Sequence, residues 1–247
     1  MSAVLKLVQG SPGWHAHRQS MRNASETPAV LGISPWVSPY QLWLVKTGRV
    51  VQETTAAMRH GSDLEPAARV AYEAKTGSVM QPLVMQDGLY SASLDGITLG
   101  GDLIVEIKCP VRGRKSELWQ GALAGDVPDH YMVQIQHQLM VSGAVRAHLW
   151  VFNGRDGVLV EVGRNDLLMA RIRQAWDAFQ IFLDVDQAPP LLHEDTLVRE
   201  DAAWLRAAQS YVTFKEAYDD ATAKLASAKE TLLALVDAPR QGAAAYR

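Results

Sequence analysis

Asp95, Glu106 and Lys108 are the residues whose types and spacing could do chemistry together. They stand in Ser93-Leu94-Asp95-Gly96 and Glu106-Ile107-Lys108-Cys109-Pro110, and a third polar stretch, Gln134-Ile135-Gln136-His137-Gln138, follows. Two carboxylates eleven residues apart, the second two before a lysine, can cluster on neighbouring strands of a hairpin. Mg²⁺ prefers oxygen ligands in near-octahedral geometry and keeps several waters, so one or two carboxylates plus a substrate phosphate suffice to hold it. In phosphodiester hydrolysis such an ion lowers the pKa of the attacking water and neutralises charge on the phosphate and the leaving oxygen. Lys108 could orient or deprotonate that water, or stabilise the charged transition state; the spacing does not choose between these roles.

The elements that carry these residues decide whether they meet. In Leu103-Ile104-Val105-Glu106-Ile107-Lys108, a strand period of two puts 104, 106 and 108 on one face and 103, 105 and 107 on the other. Glu-X-Lys alone has little meaning, because Glu73-Ala74-Lys75 repeats the spacing in a helical stretch. That second copy lacks an upstream Asp-Gly turn, a β-branched run and a following proline, and reads as a solvated helix face. Gln134 and Gln138, four apart, align on one helix face, whereas Gln136 points elsewhere and at least one of the three is expected at the surface. Glu65 in Gly61-Ser62-Asp63-Leu64-Glu65-Pro66 has a plain reading as an acid near a helix N-terminus.

Hydrophobic periodicity places helices near 38–47, 57–76 with Gly77 as the stop, 128–142 and 166–184. Strands are expected near 82–86, 89–95, 103–109, 147–153 and 158–162, with Asn153-Gly154 and Asp156-Gly157 turning between the last two. In the 166–184 helix one stripe holds Leu168, Ile172, Ala175, Trp176, Phe179 and Leu183. Beyond Pro189-Pro190, residues 200–236 keep a seven-residue repeat: Trp204, Tyr211, Tyr218, Leu225 and Leu232 on one seam position, and Ala207, Phe214, Ala221, Ala228 and Leu235 three later. This pattern suits a coiled coil, or equally a helix laid on the protein's own core.

Composition sets outer bounds. The chain has 247 residues, 48% of them hydrophobic, enough for one large domain or a domain with an appendage. The single cysteine, Cys109, excludes an internal disulfide framework, and no apolar run has the length of a membrane span. With no signal-peptide pattern at the N-terminus, a reducing, cytoplasmic setting is expected. The net charge of −3 counts against binding an anionic polymer. Its distribution answers in part: residues 1–60 hold Lys6, Arg18, Arg22, Lys46, Arg49 and Arg59 against Glu26 and Glu53, a local balance of +4, and Arg112, Arg114 and Lys115 follow Lys108 closely. The latter three could track a phosphate backbone or form a solvated turn.

Taken together these motifs resemble the PD-(D/E)XK nuclease superfamily and, more closely, the phage lambda exonuclease group of alkaline exonucleases used in viral recombination. Five ordered pieces between about Trp14 and Asp156 carry the resemblance: Trp14-His15-X-X-Arg18 with Ala24-Ser25-Glu26, Gly61-X-X-X-Glu65, Asp95, Glu106-X-Lys108, and Tyr131-Met132-X-Gln134-X-Gln136. One departure is Met21-Arg22-Asn23, where the group usually has an apolar-Thr pair before the alanine. The resemblance implies an α/β, restriction-endonuclease-like core, a central mixed sheet flanked by helices. Residues 1–184 would form the nuclease domain, 185–199 a linker, and 200–247 a heptad-patterned helix and tail.

By the same resemblance Asp95, Glu106 and the Ile107 carbonyl would bind Mg²⁺, with Mn²⁺ as a substitute and Glu65 as an outer or second-metal carboxylate. Lys108 would be the catalytic lysine and Gln134 would hold the water or substrate. Arg18 and Ser25 would grip a terminal 5′-phosphate, with Arg112, Arg114 and Lys115 beside the DNA. The implied activity is 5′→3′ digestion of one strand of linear duplex DNA to mononucleotides, leaving a 3′ single strand for annealing-type recombination. The implied assembly is a trimeric ring, with a single-strand annealing protein as partner. The competing readings are a restriction- or repair-type endonuclease on the same core, and a non-catalytic DNA-binding or scaffold protein.

Overall fold

The computed structural model describes residues 2–196 and 199–235, and the chain separates into two compact units, Met1–Thr196 and Leu197–Arg247. The first is built on a seven-stranded mixed sheet of β1 (Ala3–Leu5), β2 (Arg22–Asn23), β3 (Met80–Asp87), β4 (Tyr90–Thr98), β5 (Leu103–Lys108), β6 (Arg146–Phe152) and β7 (Gly157–Gly163). The order is β1-β3-β4-β5-β6-β7, with β2 pairing in parallel to β4 off this path. β5 and β6 are parallel, so the chain must cross over between them, and it does so through α5 (Glu117–Leu123) and α6 (Asp129–Ser142). The other neighbours run antiparallel. Periodicity finds the five longer strands; β1 and β2, three and two residues long, are too short to show one.

Helices cover both faces. On one, Leu94, Ile104 and Leu149 of the sheet pack with Ile135 and Leu139 of α6 and with Ile172 and Trp176 of α7 (Asp166–Asp184). The α7 stripe sinks Met169 as well as the expected Ile172, Trp176 and Phe179. On the other face, Val105, Ile107 and Trp150 pack against Ala68 and Tyr72 of α4 (Ala56–Thr76), and the Trp150 indole N–H donates to the Ala68 carbonyl at 3.0 Å. β5 is therefore apolar on both sides except where Glu106 and Lys108 stand. Four further helices are α1 (Pro12–Ser20), α2 (Thr27–Val30), α3 (Pro39–Lys46) and, in the second unit, α8 (Ala202–Ala234).

Capping explains several boundaries. Thr55 accepts from the Met58 N–H at the start of α4, and Gly77, at φ 72°, closes it in the left-handed region where glycine is favoured. Glu65 thus lies inside α4, not at a helix N-terminus as its neighbours suggested, and Pro66 follows it within the helix. Residues 185–196, expected as linker, belong to the first unit: Arg49 pairs with Asp186, and the Ser38 hydroxyl donates to Asp195 at 2.5 Å. Taken by itself, α8 is one continuous 33-residue helix carrying nearly all of the heptad positions. No helix among the described residues is long and apolar enough to cross a membrane.

Candidate active site

Asp95-Gly96, which reads in the sequence as a turn, lies within β4 and forms a β-bulge. Gln81 pairs with Ile97 and Leu83 with Leu94, so Asp95 and Gly96 together oppose Pro82. Proline has no N–H to offer a ladder, and bulges are among the few places it is tolerated within sheets. Gly96 is required for space: a Cβ there would lie 2.7 Å from the Met80 Cβ and 2.9 Å from Val105 Cγ1. The bulge also ends regular pairing with β5, whose ladder to β4 consists of Gly96↔Val105 and Ile97↔Ile104. Just beyond, the Asp95 carboxylate takes the place of a backbone acceptor and receives the Ile107 N–H at 2.8 Å.

Glu106 is the common acceptor of the site. Lys108 Nζ donates to its Oε1 at 2.5 Å, Gln134 Nε2 to the same oxygen at 2.6 Å, and Gln138 Nε2 to Oε2 at 2.5 Å. The period-two reading of β5 and the four-residue spacing on α6 both hold. A carboxylate has about four lone-pair positions, so three donors leave room for a further partner. Only 3% of the Glu106 side chain is exposed against 24% for Lys108, so the carboxylate is sunk and the ammonium faces the opening. The nearby carboxylates hold the Lys108 pKa above its ordinary value against the opposing effect of burial, which keeps the ammonium charged. Its Nζ also lies 4.9 Å from the Tyr131 ring.

None of the three glutamines is at the surface. Gln136 is fully buried, donating to the Gly163 carbonyl at 2.7 Å and accepting from the Asn165 N–H at 2.8 Å, so it joins α6 to the end of β7 and the start of α7. The expectation that at least one of the three lies at the surface fails because the backbone partners of Gln136 are remote in sequence. His137 is buried too, its Nδ1 2.7 Å from Thr27 Oγ1, and burial lowers its pKa to about 3. His17 Nε2 lies 3.0 Å from Ser91 Oγ.

α4 brings a third carboxylate. Burial, followed by the Glu106 and Glu65 charges, pushes the Asp95 carboxyl well above the usual range. Glu65 is raised by burial, and then by Glu106 against the pull of Arg69. Glu65 is paired to Arg69 one turn on, and Arg69 Nε also donates to the Asp95 carbonyl at 2.7 Å. Arg69 was missed in the sequence, although its four-residue spacing from Glu65 is a helix-pair signal. Three carboxylates against Lys108 and Arg69 leave a negative surplus that a divalent cation would relieve. Among the described residues no three His, Cys, Asp or Glu side chains could hold a metal as a group. The chemistry of Asp95 and Glu106, two carboxylates beside one another, would suit a hard cation that keeps most of its waters, whereas Glu65 is paired with Arg69. Burial and the two acids Asp95 and Glu65 push the Cys109 thiol up to about 11, which favours its protonated form.

Arg18 and Ser25 also come together. Arg18 Nη2 donates to Ser25 Oγ and to Glu26 Oε1, both at 3.1 Å, and the guanidinium lies 4.7 Å from the Trp14 ring. Trp14 fastens α1 to β4 by donating to Ser93 Oγ at 2.8 Å, two residues before Asp95. Part of the N-terminal positive charge, however, is spent internally. Lys46 is buried against Glu26 at 2.6 Å and donates to the Arg18 and Met21 carbonyls, and the buried Arg22 donates to the Tyr90 hydroxyl and to the exposed Asp177. Local sequence charge overstated the free surface charge because Lys46 and Arg22 are paired inside the fold around the end of α1. Arg112, Arg114 and Lys115 are exposed in a short helical turn, with Arg114 paired to Asp156.

Comparison with known proteins bears on the family and the fold. The chain is 30% identical over 172 residues to the uncharacterized protein YqaJ of Bacillus subtilis (strain 168), a match covering 66% of this chain and 53% of the relative, so the chain spans about half of that relative's length. An alkaline exonuclease, LHK-Exo, from Laribacter hongkongensis superposes with a TM-score of 0.61 at 25% identity, over 71% of this chain and 94% of the exonuclease. Its structure in complex with dAMP gives 0.59 at 23% identity over the same shares, which speaks to the fold. The YqaJ-like viral recombinase domain profile matches residues 13–145, more than half of the chain and the span that holds Arg18, Glu65, Asp95, Glu106, Lys108 and Gln134, and the chain belongs to this family.

Proposed function

We propose that this protein is a divalent-metal-dependent exodeoxyribonuclease that digests the 5′-ended strand of linear duplex DNA to mononucleotides and leaves a 3′ single strand for recombination by annealing. The observation that carries the reading is the sunken Glu106 carboxylate, shared by Lys108 and Gln134 beside the bulged Asp95. Similarity to an alkaline exonuclease supports the reaction class. Asp95, Glu106 and the Ile107 carbonyl would hold Mg²⁺, or Mn²⁺ in its place; when bound, the ion supplies charge neutralisation at the phosphate and a lower pKa for water. Lys108, at the open side of Glu106, directs its N–H groups at the scissile phosphate or the attacking water. Gln134 fixes the Glu106 oxygen that Lys108 also uses. Arg18 and Ser25 offer a guanidinium and a hydroxyl to a terminal 5′-phosphate, which would make cutting start at ends. A ring of three copies enclosing the duplex, and delivery of the 3′ strand to an annealing protein, complete the proposal.

Incubation of linear duplex with the protein and Mg²⁺ tests it: mononucleotides and 3′ overhangs are expected, and EDTA should stop their release. Nicking of closed circular DNA at a comparable rate would instead make the protein an endonuclease. Replacing Arg18 by Ala should remove the advantage of 5′-phosphorylated over 5′-hydroxyl ends; an unchanged ratio would refute the phosphate grip.

A further inference from the structure

We infer that Trp36, backed by His130 and Tyr131, is a stacking subsite for one nucleobase of the strand being cut; the inference rests on the nuclease reading of the neighbouring carboxylates. Trp36 is 65% exposed, yet it sits on a braced loop between α2 and α3. The Ser34 hydroxyl accepts from the N–H groups of Trp36 and Val37 at 3.3 and 3.2 Å, and Ser38 and Gln41 form a reciprocal cap on α3. The indole meets the His130 ring edge-on at 4.9 Å and lies 6.0 Å from Tyr131, and the rings of His130 and Tyr131 are 4.2 Å apart. Tyr131 in turn lies against the Lys108 ammonium. The aromatic path therefore starts in solvent and ends on the group that faces the scissile phosphate.

His130 and Tyr131 belong to the first turns of α6, the helix that also delivers Gln134 and Gln138 to Glu106. The rings that back Trp36 thus share one rigid element with the glutamines that hold Glu106. An indole left in water on a capped loop keeps a large apolar surface exposed, and a nucleobase laid on it would cover that surface. The occupant is a base because a nucleotide whose phosphate sits at Lys108 carries its base into reach of the adjoining rings. Stacking is also indifferent to base identity, since every base has a π-face, and this suits an enzyme that must consume any sequence.

The test is an anisotropy titration of 5′-phosphorylated blunt duplexes in EDTA, with one abasic residue placed in turn at the first, second or third nucleotide of the 5′ strand. Wild type should bind the intact end roughly 5- to 150-fold more tightly than one of the three abasic ends, the range expected of a single base–aromatic stack. Trp36→Ala should bind the intact end as weakly as wild type binds that abasic end, and should not distinguish the two; Trp36→Phe should recover most of the difference. Indifference of wild type at all three positions, or an equal loss by Trp36→Ala on every duplex, overturns the inference. So does a changed assembly mass for Trp36→Ala in sedimentation with base discrimination intact, which would make this face a contact between copies. Adding Mg²⁺ to the same duplexes separates the two readings. Discrimination without cutting would refute the nuclease and uphold the stack, whereas cutting without discrimination would refute the stack alone.

Discussion

Glu73-Ala74-Lys75 on α4 and Glu106-Ile107-Lys108 on β5 carry the same charges at the same spacing, on elements that pack against each other. On β5 a period of two turns both side chains to one face, and they meet at 2.5 Å. On α4, residues two apart do not face each other. Glu73 turns toward β3 and accepts the Met80 N–H at 2.7 Å, while Lys75 is exposed, its Nζ 6.0 Å from the Trp150 ring. One copy concentrates charge; the other ties a helix end to a strand start. The backbone period, more than the motif, decides which chemistry a spacing can reach.

The largest expected effect comes from exchanging the lysines. Lys108→Ala, like Asp95→Asn, should lower nucleotide release by about 10³-fold with an unchanged circular dichroism spectrum, the scale on which pre-placed transition-state donors act. Lys75→Ala should stay within about twofold, as surface substitutions do. Equal losses for the two lysines would remove the distinction. Next, Gln138→Ala should cost about 10- to 100-fold in cutting or metal affinity, the usual toll of losing a partner that orients a metal-binding group. Gln136→Ala, one half-turn away, should act on melting alone. Should the two behave alike in both assays, α6 does not sort its polar residues by face.

Smaller still in its effect on cutting is the helix copy itself. Glu73→Ala removes a charged acceptor from the Met80 N–H and should cost about 1.5–3 kcal/mol, visible as a lower urea midpoint, with cutting per folded molecule unchanged. The last effect is absent at neutral pH. His137 has a folded pKa near 3, below the ordinary 6.5, so on acidification the unfolded chain takes up the proton first and stability is lost as pH falls through that window. Urea midpoints measured from pH 7 to pH 4 should therefore fall more steeply for wild type than for His137→Gln; parallel curves would exclude His137 as the source.

The five longer strands, α3, α4, α6, α7 and the α8 helix were legible because each keeps its period over several residues. The shared face of Glu106 and Lys108 was legible for the same reason, whereas Gln134 was assigned to the site only through the family resemblance. The bulge was not: an Asp-Gly pair is a turn signal in isolation, and only Pro82, thirteen residues earlier, says that the partner strand cannot pair there. Arg69, Lys46 and Gln136 were hidden differently. Each spends donors on a backbone carbonyl supplied by tertiary packing, and a local signal such as the Glu65–Arg69 spacing does not reveal that further partner.

Gly96 has a genetic consequence. Asp95 and Gly96 are adjacent codons, and a change at either should abolish cutting, but the two lesions differ in what remains in the cell. Asp95→Asn leaves a folded protein that, on the proposed function, still occupies DNA ends and joins wild-type copies, so it should interfere with the normal allele. A side chain at Gly96 has no space between Met80 and Val105, so the chain is lost to unfolding and degradation, and the normal allele should mask it. Dominance, rather than loss of activity, would then separate chemistry from space at neighbouring positions.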